Sequence, residues 1–261
     1  MDYAVIRKQQ LQQKEQKWQD ADRKKYDRNT KRLWKKSNMT TNIKTIISYI
    51  SITFAVPIIT MIAMMLSSAD MNEESMLVAA NVITDIILIL VMIRLQKNEF
   101  IRSIKELQNT RTSEIVKTLM SRVFAMYAVS YTSSLILFFT GLMKEPENQQ
   151  AIYDMALSSL PATGFMVIIG APIIEETVFR CSMISNHKKK KGIAAFLISS
   201  LLFGMLHSQF HNLWEILPYF LIGIILGQTY LKHRNVIINI LIHGFYNISA
   251  FAMMVTAIKL S

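Results

Sequence analysis

The sequence has one cysteine, few charges and no leader-like apolar run in its first 42 residues, and each shortage argues against a class of protein. With Cys181 alone there is no intrachain disulfide and no thiolate metal site, and the residue reads as a small buried apolar side chain. Charged residues are 18% of the chain against 51% hydrophobic, with a mean hydropathy of +0.28, which argues against soluble domains. The first 42 residues lack the apolar run of a secretory signal, so membrane helices are expected to direct insertion. No internal repeat is found, and no low-complexity tract beyond the Gln-rich, charged amino terminus.

What is present is a series of apolar stretches near the ~20 residues that a bilayer requires. They fall at about 43 to 66, 76 to 95, 122 to 143, 157 to 186, 193 to 208, 214 to 231 and 236 to 258. The expectation is an all-α, polytopic transmembrane bundle of about seven helices. Three parts are expected: a basic extension over 1–42, three helices over 43–156 with a basic loop at 96–121, and a four-helix core over 157–258.

The net charge of +11 could suggest nucleic acid, but the Lys and Arg residues sit in short runs between apolar stretches, so no nucleic-acid partner is expected. Residues 2 to 36 carry twelve Lys or Arg against five acids. They read equally as a solvated topology signal or as a helix on anionic membrane lipid. Further basic residues fall at Lys97, Arg102, Lys105, Arg111 and Lys117, in the Lys188 to Lys191 run, and at Lys232 and Arg234. The alternate connections hold Asp70, Glu73, Glu74, Glu145, Glu147 and Asp154 with one lysine between them. Positive residues mark the cytoplasmic side, so a multi-pass cell-membrane protein is expected, with the amino terminus inside and the carboxyl terminus outside.

Ionisable residues within spans cost several kcal/mol unless they are paired or line a wet cavity. Asp85 in the second span stands alone and reads as a helix-packing hydrogen-bonder, outside any site. The fourth span holds Glu175, Glu176 and Arg180, the fifth ends at His207, and the seventh holds His243 and Asn247. Glu175 lies thirteen residues before Lys188, His207 sixteen after Lys191, and Asn247 thirteen beyond Arg234. At ~1.5 Å per residue all three sit ~20 Å or slightly more from the basic turns, so three helices bring these groups to one layer. Glu176 and Arg180, Phe203 and His207, and His243 and Asn247 are each four apart and share a helix face. Adjacent Glu175 and Glu176 differ by about 100° and cannot do the same job. The economical division pairs Glu176 with Arg180 and turns Glu175 to the cavity. Gly170 and Pro172 would loosen the helix beside them.

A carboxylate in such a pocket can serve as general base for water, with His207 holding the water. His243 and Asn247 can donate to the oxyanion of an attacked amide. Neither Ser nor Cys has a His partner by spacing. The alternative is a zinc site built from Glu175, His207 and His243. The metal-free reading is preferred, because no H-E-x-x-H occurs and the Asn247 amide is a poor zinc ligand but a good oxyanion donor.

The segments Glu175-Glu176-Thr-Val-Phe-Arg180, Phe203-Gly-Met-Leu-His207 and His243-Gly-Phe-Tyr-Asn247 resemble, in order, the EExxxR, FxxxH and HxxxN motifs of the CPBP intramembrane proteases. That family includes type II CAAX prenyl endopeptidases and bacterial proteins of bacteriocin processing and self-immunity. The resemblance covers 157 to 258 and implies peptide-bond hydrolysis in the membrane, with Glu175 and His207 on the water, His243 and Asn247 at the oxyanion, and Glu176 with Arg180 in support. Relatives often have Gly where Cys181 follows the arginine, a departure that bears on packing. A peptide or membrane-associated protein is the expected substrate, approaching from the cytoplasmic side; a bacteriocin or pheromone precursor would suit. The competing function is a non-proteolytic immunity or regulatory protein.

Overall fold

The computed structural model describes residues 39–66, 72–142, 147–184, 189–208 and 214–260. The basic extension up to Asn38 lies outside them, as do parts of the 67–75, 144–155 and Lys188 to Lys191 connections. Among the described residues the chain is helical, with no strand. The helices are α1 (Met39–Leu66), α2 (Glu73–Leu95), α3 (Lys97–Gln108), α4 (Thr112–Phe139), α5 (Glu147–Ser158), α6 (Leu160–Ser182), α7 (Lys189–His207), α8 (Ile216–His233) and α9 (Val236–Leu260).

Five of these, α1, α2, α4, α6 and α9, are long and apolar enough to cross a membrane. This is the multi-pass character expected. Two of the seven expected spans fall short of that standard: α7 contributes a shorter apolar stretch, Gly192–His207, and α8 is 18 residues long. Two helices were not foreseen. α3 and α5 are short and polar, so apolar-run reasoning passes over them, and α4 starts at Thr112, ten residues before the expected 122.

Local chemistry sets the helix ends. Asn72 caps α2 by accepting from the Ser75 amide at 2.8 Å, with Glu73 and Glu74 in the first turn and Arg94 in the last, each sign placed where the helix dipole favours it. Asn235 does the same for α9, its side-chain oxygen accepting from the Ile238 amide at 3.0 Å. Between α8 and α9 the chain turns through Arg234 in the left-handed region, φ 52°.

Two polar features lock the bundle at its basic end. Gln96, between α2 and α3, donates to Asn42 and Thr45 of α1 and to Ser182 of α6, at 3.0 to 3.2 Å. Arg102 of α3 bonds Glu99, Glu106 and the carbonyl of Arg234, while Asn235 donates to the Ser103 carbonyl at 2.8 Å. These contacts strap α3 beneath the α8–α9 turn. α7 and α8 approach to backbone contact: a Cβ on Gly204 would fall 2.9 Å from the Phe220 nitrogen, and one on Gly223 would fall 3.1 Å from the Ser200 carbonyl. Only glycine permits this spacing.

Candidate active site

α6 carries the acids and is not a regular α-helix. Around Pro172, which cannot donate a backbone hydrogen bond, the turns widen to π-helix at Met166–Gly170 and again at Glu176–Ser182. The two carboxylates consequently face different surroundings.

Glu176 is fully buried and saturated with partners. Its Oε1 lies 3.0 Å from His243 Nδ1, and its Oε2 accepts from Asn239 Nδ2 at 3.0 Å and lies 3.3 Å from Arg180 Nε. The Arg180 guanidinium lies over the Phe203 ring at 4.5 Å and reaches the Gly223 carbonyl at 3.4 Å, so a buried cation is held by charge, ring face and backbone together.

Glu175 instead lines a cavity of about 760 Å³. Its Oε2 is shielded from solvent, has no hydrogen-bond partner, and is faced by Nε2 of His207 at 3.8 Å and Nε2 of His243 at 4.0 Å. His207 is held between the rings of Phe203 and Tyr219, at 4.3 and 4.7 Å, and its Nδ1 lies 2.8 Å from the Phe203 carbonyl. A carbonyl only accepts, so Nδ1 carries the proton and the neutral ring turns the Nε2 lone pair to the cavity. The Nδ1 of His243 donates to the Glu176 carboxylate. Asn247 lines the cavity one turn further along α9 and spends one N–H on the Val167 carbonyl at 2.8 Å, leaving the other.

The structure thus brings His207 and His243 each within 4 Å of Glu175 and places Glu176, Arg180 and Phe203 directly behind them. Sequence reasoning missed three contributors. Asn239 holds Glu176, and the only signal was a polar residue one turn before His243. Tyr219 packs His207, and an aromatic at the start of α8 carries no motif. Asp85, expected to serve helix packing alone, lines the same cavity as Glu175.

The cavity opens along one direction of the bundle. Its walls, Pro57, Asn81, Tyr131, the 148 to 153 stretch of α5 and Met254, extend from the Glu175 layer toward the end of the bundle carrying α5, away from α3 and the basic loop. The floor, at Leu88, Ile174, Phe203 and Ile222, is apolar.

For zinc, the donors are Nε2 of His207, Nε2 of His243 and Oε2 of Glu175, with Glu176 as the carboxylate behind His243. Tetrahedral bonds of ~2.0 to 2.1 Å require donors ~3.3 Å apart, so the observed 3.8 and 4.0 Å spacings are too wide. Among the described residues no His, Cys, Asp and Glu group of three or more is placed to hold a metal ion. The 3.8 Å spacing suits one water between Glu175 Oε2 and His207 Nε2, ~2.8 Å from each.

With this geometry in view, comparison with known proteins is informative. The Rce1-like profile, type II CAAX prenyl endopeptidase Rce1-like, matches residues 157–249, which hold the whole cluster. The chain is also 31% identical over 147 residues to the UPF0177 protein YxdF of Lactococcus lactis subsp. lactis (strain IL1403), covering 54% of this chain and 80% of that protein. The chain belongs to the Rce1-like family. Another relative is YdiL of Bacillus subtilis (strain 168), which its name gives as a candidate membrane peptidase, 26% identical over 136 residues, covering 52% of this chain and 54% of YdiL. An uncharacterized 24.3 kDa protein of Escherichia coli is 30% identical over 106 residues, covering 40% of this chain and 49% of its own length. The chain thus spans about half the length of these last two. No solved structure gives a significant match. Membership in the Rce1-like family supports a multi-pass membrane peptidase.

Proposed function

We propose that the protein is an intramembrane endopeptidase in which Glu175 activates water against a peptide bond. The observation that carries this reading is the Glu175 Oε2, without a hydrogen-bond partner among the described residues and faced by two imidazole nitrogens inside a cavity large enough for several peptide residues. A polar atom buried without a partner costs ~1 to 3 kcal/mol, and the cost is offset when substrate water fills the gap.

One water in that gap gives one hydrogen to Glu175 Oε2 and directs the other to His207 Nε2. Its oxygen attacks the scissile carbonyl carbon, and the proton passes to Glu175. The C–N bond breaks as Glu175 returns the proton to the leaving amine, giving a carboxylic acid and an amine. The oxyanion takes the free N–H of Asn247, and it takes an N–H from His243 only when that ring is doubly protonated, because Nδ1 already serves Glu176. Glu176 is therefore a positioning residue: it sets the His243 tautomer and is itself held by Arg180 and Asn239.

The cell membrane is the proposed location. A small membrane-associated peptide precursor, such as a bacteriocin or pheromone, is the proposed substrate, in keeping with bacterial relatives. The test is peptidomics of membranes holding the wild type or Glu175→Gln. Peptides that appear only with the wild type support the reading, and identical peptide profiles with both proteins folded and inserted would overturn it.

A further inference from the structure

Asp85 is a second carboxylate in the cavity, on α2, opposite the acid-bearing helix. Its side chain occupies the space that a Cβ on Gly170 would fill: such a Cβ would collide with Oδ2 of Asp85 and lie 3.1 Å from its Cγ. Gly170 stands five residues before Glu175, which at ~1.5 Å per residue puts Asp85 ~8 Å from the attacking group, toward the open end. An extended peptide advances ~3.3 Å per residue, so that distance is about two residues of substrate.

Apart from the imidazoles of His207 and His243, the charge of the walls is one-sided. Asp85 and Glu175 both line the cavity, and no Lys or Arg is among the described residues lining it. The buried cation nearby, Arg180, is committed to Glu176, the Phe203 ring and the Gly223 carbonyl. A carboxylate at membrane depth is costly without an opposing charge, and here none comes from the cavity walls. Beside Asp85 the walls are Asn81, Thr84 and Tyr49, groups that can surround an ammonium or guanidinium.

We propose that Asp85 is the specificity-determining residue of this cavity, receiving a Lys or Arg side chain of the substrate about two residues from the bond that Glu175 attacks. The proposal rests on the peptidase reading for the meaning of the bound peptide, but its recognition step can be tested separately. The full chain carrying Glu175→Gln, purified in a neutral detergent, is titrated with fluorescent apolar dodecapeptides that hold a single Lys at each position in turn, or norleucine in its place. The expected result is binding at least tenfold tighter for one Lys register than for norleucine. That preference should collapse when Asp85→Asn is added, and again with Gly170→Ala, which displaces the carboxylate without removing it. Equal binding of the Lys and norleucine peptides, or a preference that survives Asp85→Asn, overturns the proposal. Wild-type protein is then incubated with the peptides. A Lys preference without cleavage sinks the peptidase reading and leaves Asp85 as a recognition group, whereas cleavage with no preference does the reverse.

Discussion

Two polar clusters sit in this bundle, one at the basic end and one at mid-depth, and they differ in how completely their hydrogen bonds are made. In the strap beneath α8 and α9, Arg102 is bonded to Glu99, Glu106 and the Arg234 carbonyl, and Asn235 to Ser103 and Ile238. At mid-depth Glu176 is as fully bonded, yet its neighbour Glu175 faces two imidazole nitrogens across a gap. The contrast separates fastening from chemistry. The bonded groups tie helices together, whereas the open Glu175 oxygen lines a cavity that a ligand or water can enter.

The sharpest way to break that comparison is Glu175→Gln, which is nearly isosteric but cannot take a proton. Cleavage should fall by ~10³-fold, with the thermal melting of the purified protein unchanged. Near-wild-type turnover would put Glu175 with the fasteners. Arg102→Ala should do the opposite, because removing one partner of a buried pair leaves the others uncompensated. Stability should drop by ~3 to 5 kcal/mol in denaturant titration, while kcat per folded molecule holds. Asn247→Ala should cost ~10²-fold in kcat with little change in KM, as loss of an oxyanion donor predicts, and a pure KM effect would reassign Asn247 to substrate binding. The smallest effect is expected at Asn235→Ala, where loss of the α9 cap should lower stability by ~1 kcal/mol and leave the cleavage pattern intact.

Depth counting from the basic turns was enough to bring Glu175, His207 and His243 together, because a helix has a fixed rise and the turns are marked by charge, while Asn247 lies one turn further along, against Val167. Its errors of a turn do not matter when the side chains are long. The three spacings of four residues likewise showed which side chains share a face. Sequence reading could not reach contributors whose role depends on a partner helix. Asn239 is one polar residue among apolar ones until α6 supplies Glu176, and Asp85 is a stray acid until α6 supplies Gly170. The π-helical turns flanking Pro172 change which way Glu176 and Arg180 point, and no periodicity of 3.6 contains them. α3 and α5 escaped because their polar faces interrupt any apolar run, although α5 forms part of the cavity wall.

The glycine contacts between α7 and α8 have a mechanical consequence. With Gly204 against the backbone of α8 and Gly223 against the backbone of α7, sliding either helix by one residue would drive a side chain into main chain. The pair therefore behaves as a single stiff beam, and His207, at its end and gripped by Phe203 and Tyr219, keeps its height whatever the rest of the bundle does. α1 differs from that pair: Tyr49, Thr53 and Pro57 line the cavity, the 18-residue apolar stretch has no fully buried residue, and the helix is fastened at its other end through Asn42 and Thr45 to Gln96.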